Sequence, residues 1–484
     1  MSTDNLKQKT ISGLFWQFAQ KAVGQIVSFA ISVVLARLLM PEEFGVVALA
    51  GMFTVLIGIF IDCGYGNALV QKKEADDIDF STIFWAQTIF ASLVYTLLFF
   101  AAPWLSDIFH TPKLCDVVRV LGLGMILGTF GGIQNVVVTR RMAFKVYFYM
   151  TLIGTALSGG IGIFLAYEGW GVWALVFQGL AATIINTITV FAQVRWIPKF
   201  RFSVERFKSI FGVSSKFMLS GLIGTAFSQL KGYTIGLKYM PSDLAFYNRG
   251  EGVPQIFTRN IDASINSVLF PVFSKLQDDK PAVKNVMRRA MKTSSFILFP
   301  LLLGLAAVSE NLVYILYTEK WAACIPFMQA FCIGECFSIM NTTNLQALRG
   351  MGKVNTILKL EIYKKPIMIA ILIFTMFISP LAIAIGMCFY SFYTMIINAF
   401  PNREYVGYKL EEQIKDVSGA LMAAVIMAAV VTSLNWLQLN RYVILFIQIV
   451  IGILIYCGLS EIFHIESWEY VKSNIKERVK LFKR

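Results

Sequence analysis

Long apolar runs separated by short polar connections recur along almost the whole chain. Each run has about 20 residues, the length that a helix needs to cross roughly 30 Å of hydrocarbon. We therefore expect an all-α, polytopic membrane protein with about 14 transmembrane helices. The predicted spans are residues 13–39, 44–69, 80–103, 117–139, 147–167, 170–194, 209–238, 244–270, 291–316, 322–347, 355–378, 380–400, 416–436 and 441–462.

The composition agrees with this class. Of the 484 residues, 57% are hydrophobic and only 15% are charged, and the mean hydropathy is +0.65. Soluble domains are roughly 45 to 50% apolar. The net charge of +14 is scattered over the connections between spans, so we expect no nucleic-acid partner.

The basic residues also predict the orientation. An even number of spans places both termini on one side, and Lys and Arg mark the cytoplasmic side. If both termini are cytoplasmic, 30 Lys and Arg fall on cytoplasmic segments, 6 fall on the opposite side and 7 lie within spans. We therefore expect a multi-pass protein with both termini in the cytoplasm.

Two short motifs indicate an internal repeat. Residues 40–45 (MPEEFG) return 200 residues later as 240–245 (MPSDLA), and the Asn, Arg and Met of 135–142 return 209 residues later in 344–351. Spans 1 to 6 therefore match spans 7 to 12, and two six-helix lobes with pseudo-two-fold symmetry are expected about an axis along the membrane normal. The expected domains are an N-terminal lobe at 1–200, a C-terminal lobe at 201–405, two additional helices at 406–464 and a basic tail at 465–484.

The tail has the pattern of an amphipathic helix. Its apolar residues recur at helical spacings, and basic residues occupy the other faces, so we expect it to lie on the anionic cytoplasmic leaflet. A solvated basic tail is the alternative. The apolar positions are Trp468, Val471, Ile475, Val479 and Phe482.

Six cations interrupt the predicted spans of the second repeat. An intramembrane charge costs about 2.5 to 3.5 kcal/mol at a helix centre, which makes each of them a candidate functional residue. We predict that Lys231 and Arg259 bind an anionic substrate and that the other four cations guide it. The six are Lys216, Lys231, Arg249, Arg259, Lys364 and Lys365.

The spacing of these cations favours a shared function. Lys216 and Lys231 lie 15 residues apart, about 60° around a helix and roughly 22 Å along it, so they can line one wall at two depths. Arg259 and Asp262 are spaced i, i+3 and can pair at rest. Such a pair can exchange its carboxylate for an anionic substrate.

Simpler explanations exist for several of these residues. Lys216 and Arg249 lie near the ends of their spans, where long side chains reach the interface. Lys364 and Lys365 can be neutralised by Glu361 alone, in a span that Pro366 is expected to kink.

Acidic residues within the spans are the second group of candidates. Each can carry a coupling proton or sodium ion, and each can equally be half of a salt bridge. They are Asp62, Asp262, Glu335 and Glu361.

Motifs of several enzyme classes do not occur in the sequence. Gly352 and Lys353 are followed by Val354 instead of Ser or Thr, so no phosphate-binding loop is present, and neither GxSxG nor HExxH occurs. The 7 cysteines show no CxxC spacing, and only 2 histidines occur. We therefore expect no catalytic residue, no metal and no cofactor.

Fixed cations inside the spans favour a substrate that is anionic at one end. Arg binds phosphate oxygens in a bidentate manner, and Lys binds them as a point charge. A polyprenyl pyrophosphate that carries a sugar chain fits, because its head is anionic while its tail can stay in lipid. Nucleotides and organic anions also fit the charges alone.

Four motifs resemble the polysaccharide-transporter (Wzx-type flippase) family of the multidrug/oligosaccharidyl-lipid/polysaccharide (MOP) exporter superfamily. They are 9–13 (KTISG) with Trp16, 70–74 (VQKKE), 269–271 (LFP) with 277–279 (QDD), and 319–321 (EKW) with 325–326 (IP). The resemblance implies two lobes that open alternately to either face of the cell inner membrane. It also implies export of undecaprenyl-pyrophosphate-linked repeat units for exopolysaccharide, capsule or lipopolysaccharide. Membrane lipids, a polysaccharide polymerase and other assembly proteins are the expected partners of a monomer.

Three alternatives stay open. A cation-coupled multidrug exporter of the same superfamily would need an acidic cavity, whereas the spans hold 7 cations against about 6 anions. A lipid II flippase fits the same pattern of spans and charges. A membrane polysaccharide polymerase or ligase would need a large outer loop, and the outer connections are short.

Overall fold

The computed structural model describes residues 3–469 and 472, except 73, 142, 144, 195 and 438, and describes no side chain of residues 3–15 or of residue 18. Over this part the chain is almost entirely helical, with two short 3₁₀ turns at Glu319–Cys324 and Leu434–Trp436. The helices are α1 (Thr3–Leu38), α2 (Pro41–Asp62), α3 (Tyr65–Gln71), α4 (Asp77–Ile108), α5 (Lys113–Arg140), α6 (Lys145–Tyr167), α7 (Val172–Val194), α8 (Val204–Lys238), α9 (Pro241–Lys275), α10 (Lys280–Tyr317), α11 (Ile325–Glu335), α12 (Ser338–Gly350), α13 (Val354–Thr375), α14 (Pro380–Tyr405), α15 (Leu410–Ser433) and α16 (Arg441–Ile462).

Each of the predicted spans coincides with a helix or a broken pair of helices. The pair α2 and α3 makes up one span, and the pair α11 and α12 makes up another. Among the described residues, 12 segments are both long and apolar enough to cross a membrane. The two predicted spans outside this set are α9 and α13, which have 35 and 22 residues and are long enough but more polar. The all-α membrane class is confirmed.

The chain forms two compact units, unit 1 (Met1–Ala245) and unit 2 (Phe246–Arg484). In unit 1, α6 packs against α1 and α7, and α4 packs against α5. In unit 2, α10 packs against α11 and α15, and α13 packs against α14. Packing thus assigns α8 to unit 1, whereas the lobe boundary at residue 200 follows the internal repeat and stays a prediction.

The two additional helices, α15 and α16, pack against α10 within unit 2. Asn311 of α10 donates to the side-chain oxygens of Asn435, at 2.8 Å, and of Gln448, at 3.1 Å. Tyr456 of α16 donates to the carbonyl oxygen of Phe296 at 2.8 Å. Buried polar contacts of this kind fix α15 and α16 against α10, because an amide in hydrocarbon needs a partner. The predicted amphipathic tail falls mostly outside the described residues.

A break divides the second span of unit 1. Cys63 and Gly64 both adopt left-handed backbone conformations, with φ of 46° and 69°, and they separate α2 from α3. At Gly64, an added Cβ would lie 2.6 Å from Cβ of Phe217 on α8. Glycine is therefore required here both by the backbone angle and by the close approach of α8.

An ion cluster joins α3, α4 and α8 in unit 1. The fully buried carboxylate of Asp79 lies 2.7 Å from Nζ of Lys72 and 3.3 Å from the guanidinium of Arg206. Asp76 caps α4 by accepting hydrogen bonds from the N–H groups of Ile78 and Asp79. The hydrogen bond from the Asp79 N–H and the pairing with Arg206 hold the pKa of Asp76 below its ordinary value.

Replacing Asp79 by Ala should leave two cations facing a buried gap. We expect a loss of about 2 to 3 kcal/mol of stability, which is less than for a fully enclosed pair because both cations are partly solvated. The melting midpoint in detergent measures this change. The matched control is Asp77→Ala, which removes an exposed pair with Lys199 and should change stability by less than about 1 kcal/mol. Equal midpoints for the two variants would contradict the role given to Asp79.

Candidate functional site

Helix α9 carries the predicted substrate-binding arginine, and α11 and α12 position it. Near the start of α9, Gly250 contacts Phe327 so closely that an added Cβ would lie 2.5 Å from the Phe327 Cβ. Near the end, an added Cβ on Gly350 of α12 would lie 2.4 Å from Cβ of Phe273. Both ends of α9 thus pack closely, one against α11 and the other against α12, and these contacts fix the middle of the helix.

Arg259 lies in the middle of α9 and is exposed. It is nine residues from Gly250, about half a turn around the helix, so it points away from the contact with Phe327. Its guanidinium donates to the side-chain oxygen of Gln255. The sequence allowed an ion pair with Asp262, but no such pair occurs among the ion pairs of the described residues.

Asp262 faces α12 instead. Its carboxylate makes a side-chain hydrogen bond with Thr342, while its Oδ1 is buried without a hydrogen-bond partner in the described structure. A buried carboxylate oxygen with unused acceptor capacity can take up a proton or a cation.

Arg249 has a different environment, near the start of α9. Its guanidinium lies over the rings of Tyr317 and Trp321, at 4.7 Å and 4.8 Å from their centroids. Both rings are buried. This cation–π arrangement stabilises the charge inside the protein.

Lys216 and Lys231 lie on α8 in unit 1. Lys216 is exposed and Lys231 is partly buried, in agreement with two depths along one helix. Lys216 is half a turn around α8 from Phe207, a residue that packs into the core of unit 1, so the lysine is on the opposite face of the helix.

The cations of α13 come together with the predicted acid. Lys364 is only 4% exposed, and its ammonium donates to Glu361 and, at 3.3 Å, to Oδ1 of Asn398. Lys365 lies 3.6 Å from the same glutamate and is partly exposed. One carboxylate therefore serves two ammonium groups, and this site keeps a net positive charge.

A chain of buried amides continues from Lys364 through unit 2. Asn398 donates to Asn341 at 2.9 Å, and its carbonyl accepts from Asn402 at 3.3 Å. Asn402 donates to the side chain of Asn344 at 2.9 Å, and Asn344 donates to Gln413 at 2.9 Å. These hydrogen bonds connect α12, α14 and α15 and fix the helix that faces Lys364.

The amide chain ends in an ion cluster. Gln413 donates to the carbonyl of Tyr408 at 3.3 Å, and the hydroxyl of Tyr408 donates to Asp416 at 2.6 Å. Asp416 is paired with Arg288 at 2.7 Å and with Lys292 at 3.6 Å. A continuous polar network thus runs from the middle of α13 to the ends of α10 and α15.

Sequence inspection missed these amides. Their signal was present, since Asn341 and Asn344 are spaced i, i+3 and Asn398 and Asn402 are spaced i, i+4 within apolar spans.

The remaining predicted residues lie at helix breaks. Asp62 ends α2 and is exposed, and its carbonyl accepts from Gln87 at 3.5 Å. Glu335 ends α11 and is partly buried. Within the described residues no group of three or more His, Cys, Asp or Glu could hold a metal ion.

Comparison with known sequences places these features in a family. Residues 34–326 match the family described as "Polysaccharide biosynthesis protein". The succinoglycan biosynthesis transport protein ExoT of Rhizobium meliloti is 24% identical over 72% of this chain and 71% of that protein. The lipopolysaccharide biosynthesis protein WzxC of Escherichia coli is 21% identical over 74% of each chain. The teichuronic acid biosynthesis protein TuaB of Bacillus subtilis is 23% identical over 72% of this chain and 73% of that protein.

Solved structures agree on the fold. The lipid II flippase MurJ in an inward closed conformation superposes with a TM-score of 0.76 at 16% identity, over 93% of this chain and 99% of that one. An inward-facing multidrug resistance MATE transporter of the MOP superfamily gives 0.61 at 14% identity, over 81% and 98%. The family match spans more than half of the sequence, so the chain belongs to the polysaccharide biosynthesis protein family, and the resemblance found in the sequence motifs is confirmed.

Proposed function

We propose that this protein is a flippase that carries undecaprenyl-pyrophosphate-linked oligosaccharide repeat units across the inner membrane by alternating access. The observation that carries the proposal is the polarity of α9 and α13. Both helices are long enough to span the membrane, and both carry charged side chains in their middle turns. Charge at this depth is costly unless it lines a polar path, and cations suit an anionic head group.

The cations differ in whether protein groups enclose them or leave them exposed. Arg259 and Lys216 are exposed, whereas Arg249 is held over two rings and Lys364 is held by Glu361 and Asn398. We assign Arg259 and Lys231 to the pyrophosphate, because both lie deep within their predicted spans, and we assign Lys216, Arg249, Lys364 and Lys365 to its guidance. Asp262, Glu361, Asp62 and Glu335 are the candidates for a coupling proton or sodium ion.

Two lines of support come from the relatives. ExoT is named as a succinoglycan biosynthesis transport protein and WzxC as a lipopolysaccharide biosynthesis protein. The similar solved structures are a flippase and a drug transporter. The proposal includes cytoplasmic termini, a monomeric state, a polysaccharide polymerase as an assembly partner, and the repeat boundary at residue 200.

The function is tested by the sidedness of labelled undecaprenyl-pyrophosphate oligosaccharide in proteoliposomes. We expect the glycan to become accessible to an external glycosidase only when the protein is present. A glycan that stays inaccessible while a pH gradient drives export of a cationic dye from the same vesicles would replace the proposal by a multidrug exporter.

Arg259→Ala should lower the rate of transport at least tenfold, because loss of one charge-assisted contact is worth about 1.5 to 3 kcal/mol. Insertion and melting midpoint should stay those of the wild type, since Arg259 is exposed. The matched control is Lys275→Ala, an exposed cation in the last turn of the same helix, which should transport normally. Normal transport by a well-expressed Arg259→Ala variant would remove Arg259 from the binding site.

Lys364→Met should weaken binding of undecaprenyl pyrophosphate about tenfold or more, because it removes a cation from the site. Glu361→Gln should leave binding equal or tighter, because Glu361 repels the anionic head group. Dissociation constants of variants in nanodiscs measure both changes. Lys359→Met, an exposed lysine on the same helix, is the control and should bind normally. An unchanged dissociation constant for folded Lys364→Met would leave Lys364 a structural partner of Glu361.

A further inference from the structure

Unit 1 contains an apolar groove that the proposed path does not use. It has a volume of about 380 Å³ and lies between the break at Cys63 and Gly64, the first half of α4 and the first half of α8. We call it the aromatic groove, because six of its lining residues are aromatic. These six are Phe60, Tyr65, Phe90, Phe202, Phe207 and Phe211.

The aromatic groove is elongated and opens sideways. Its residues on α8 run from Phe207 to Met218, about 16 Å along the helix axis. On α4, Ile89 and Leu93 are 57% and 59% exposed. Since these apolar side chains lie within a predicted span, the open side faces lipid, and an occupant must enter from the hydrocarbon.

The floor of the aromatic groove is closely packed. Phe207 stacks on Phe211 at 5.7 Å between ring centroids, and Tyr65 lies 6.3 Å from Phe207. The sulfur atoms of Cys63 and Met218 are 3.5 Å apart. The left-handed break at Cys63 and Gly64 turns Tyr65 toward α8, which makes the groove part of the folded core.

An exposed cation is adjacent in sequence to one residue that lines the aromatic groove. Phe202, which lines the groove, directly follows the exposed Arg201, and Phe200 on the other side of that arginine is 91% exposed. This segment is fixed to α4, because the N–H groups of Lys199 and Ser203 donate to hydroxyls of α4 at 3.1 and 3.2 Å. Arg201 is therefore held close to the part of the groove that Phe202 lines, near the predicted cytoplasmic interface.

We propose that the aromatic groove captures the polyprenyl chain of a pyrophosphate-linked lipid from the cytoplasmic leaflet, with Arg201 contacting its phosphate. This inference rests on the proposed function and adds a binding site for the tail. A cation at the mouth matches an anionic head, and a groove with aromatic walls suits a methyl-branched, unsaturated chain. Lys216 and Lys231 lie on the face of α8 opposite the groove. The polyprenyl chain and the charged head group are therefore recognised on different sides of this helix.

The test uses full-length protein in phosphatidylethanolamine nanodiscs and a benzophenone-tagged geranylgeranyl diphosphate as the probe. Photolabelling, mapped by peptide mass spectrometry, should fall on α4 and α8 around the groove. Undecaprenyl pyrophosphate should compete, whereas phosphatidylglycerol at the same concentration should not. Equal competition by phosphatidylglycerol would make the groove a general phospholipid site and overturn the proposal.

Two changes test the groove, one inside it and one at the neighbouring arginine. Ala86→Phe fills the groove and should reduce labelling at least fivefold, whereas Ala156→Phe, on the exposed face of α6, should not. If Ala86→Phe loses its wild-type melting midpoint, Ile89→Trp at the exposed rim takes its place. Arg201→Gln should reduce labelling by the diphosphate probe and leave labelling by an uncharged geranylgeraniol probe unchanged. Undiminished labelling of Ala86→Phe, or of Ile89→Trp where it takes its place, would overturn the proposal. Undiminished labelling of Arg201→Gln by the diphosphate probe would overturn it as well.

This inference and the proposed function can fail separately. If the wild-type protein exposes no glycan but the label still maps to the groove and competes with undecaprenyl pyrophosphate, the flippase proposal fails alone. If the wild-type protein transports glycan while Ala86→Phe labels and transports normally, the aromatic groove is not a capture site and the flippase proposal stands.

Discussion

Hydrocarbon offers no hydrogen-bond partners, and this constraint shapes the polar contacts between the membrane-spanning helices. A helix satisfies its own backbone, but each polar side chain must find a partner on a neighbouring helix. In unit 2 the partners form a chain of amides through Asn398, Asn402 and Asn344 to Gln413. In unit 1 the buried Asp79 is neutralised by two cations. The polar groups therefore decide which helices are fixed to one another.

The two broken spans obey the same constraint. Where α2 ends, Gln87 of α4 donates to the freed carbonyl of Asp62, and where α11 ends, the hydroxyl of Ser391 donates to the carbonyl of Gly334 at 2.9 Å. Side chains from adjacent helices thus donate hydrogen bonds to backbone carbonyls at each break. Both breaks lie next to apolar cavities, one bordered by Cys63 and the other by Phe337. A broken span is a local way to make room in a packed bundle.

The intramembrane cations separate into two kinds once their surroundings are known. Arg249 and Lys364 are enclosed by rings, a carboxylate and an amide, so the protein itself bears the cost of desolvating them. Arg259 and Lys216 are exposed, so an anionic ligand can approach them without breaking a buried ion pair.

The sequence by itself determined the membrane class, the helices and the family, because apolar runs of bilayer length and short motifs are local features. It also located the charges of α9 and α13, since a charge in an apolar run stands out. Tertiary structure alone decided that Arg259 contacts Gln255 instead of Asp262, that α8 packs with unit 1, and that separate amide pairs form one network. The aromatic groove likewise depends on residues from α2, α3, α4 and α8. Spacing along one helix gives which partners are within reach, but the partner chosen depends on which helix packs alongside.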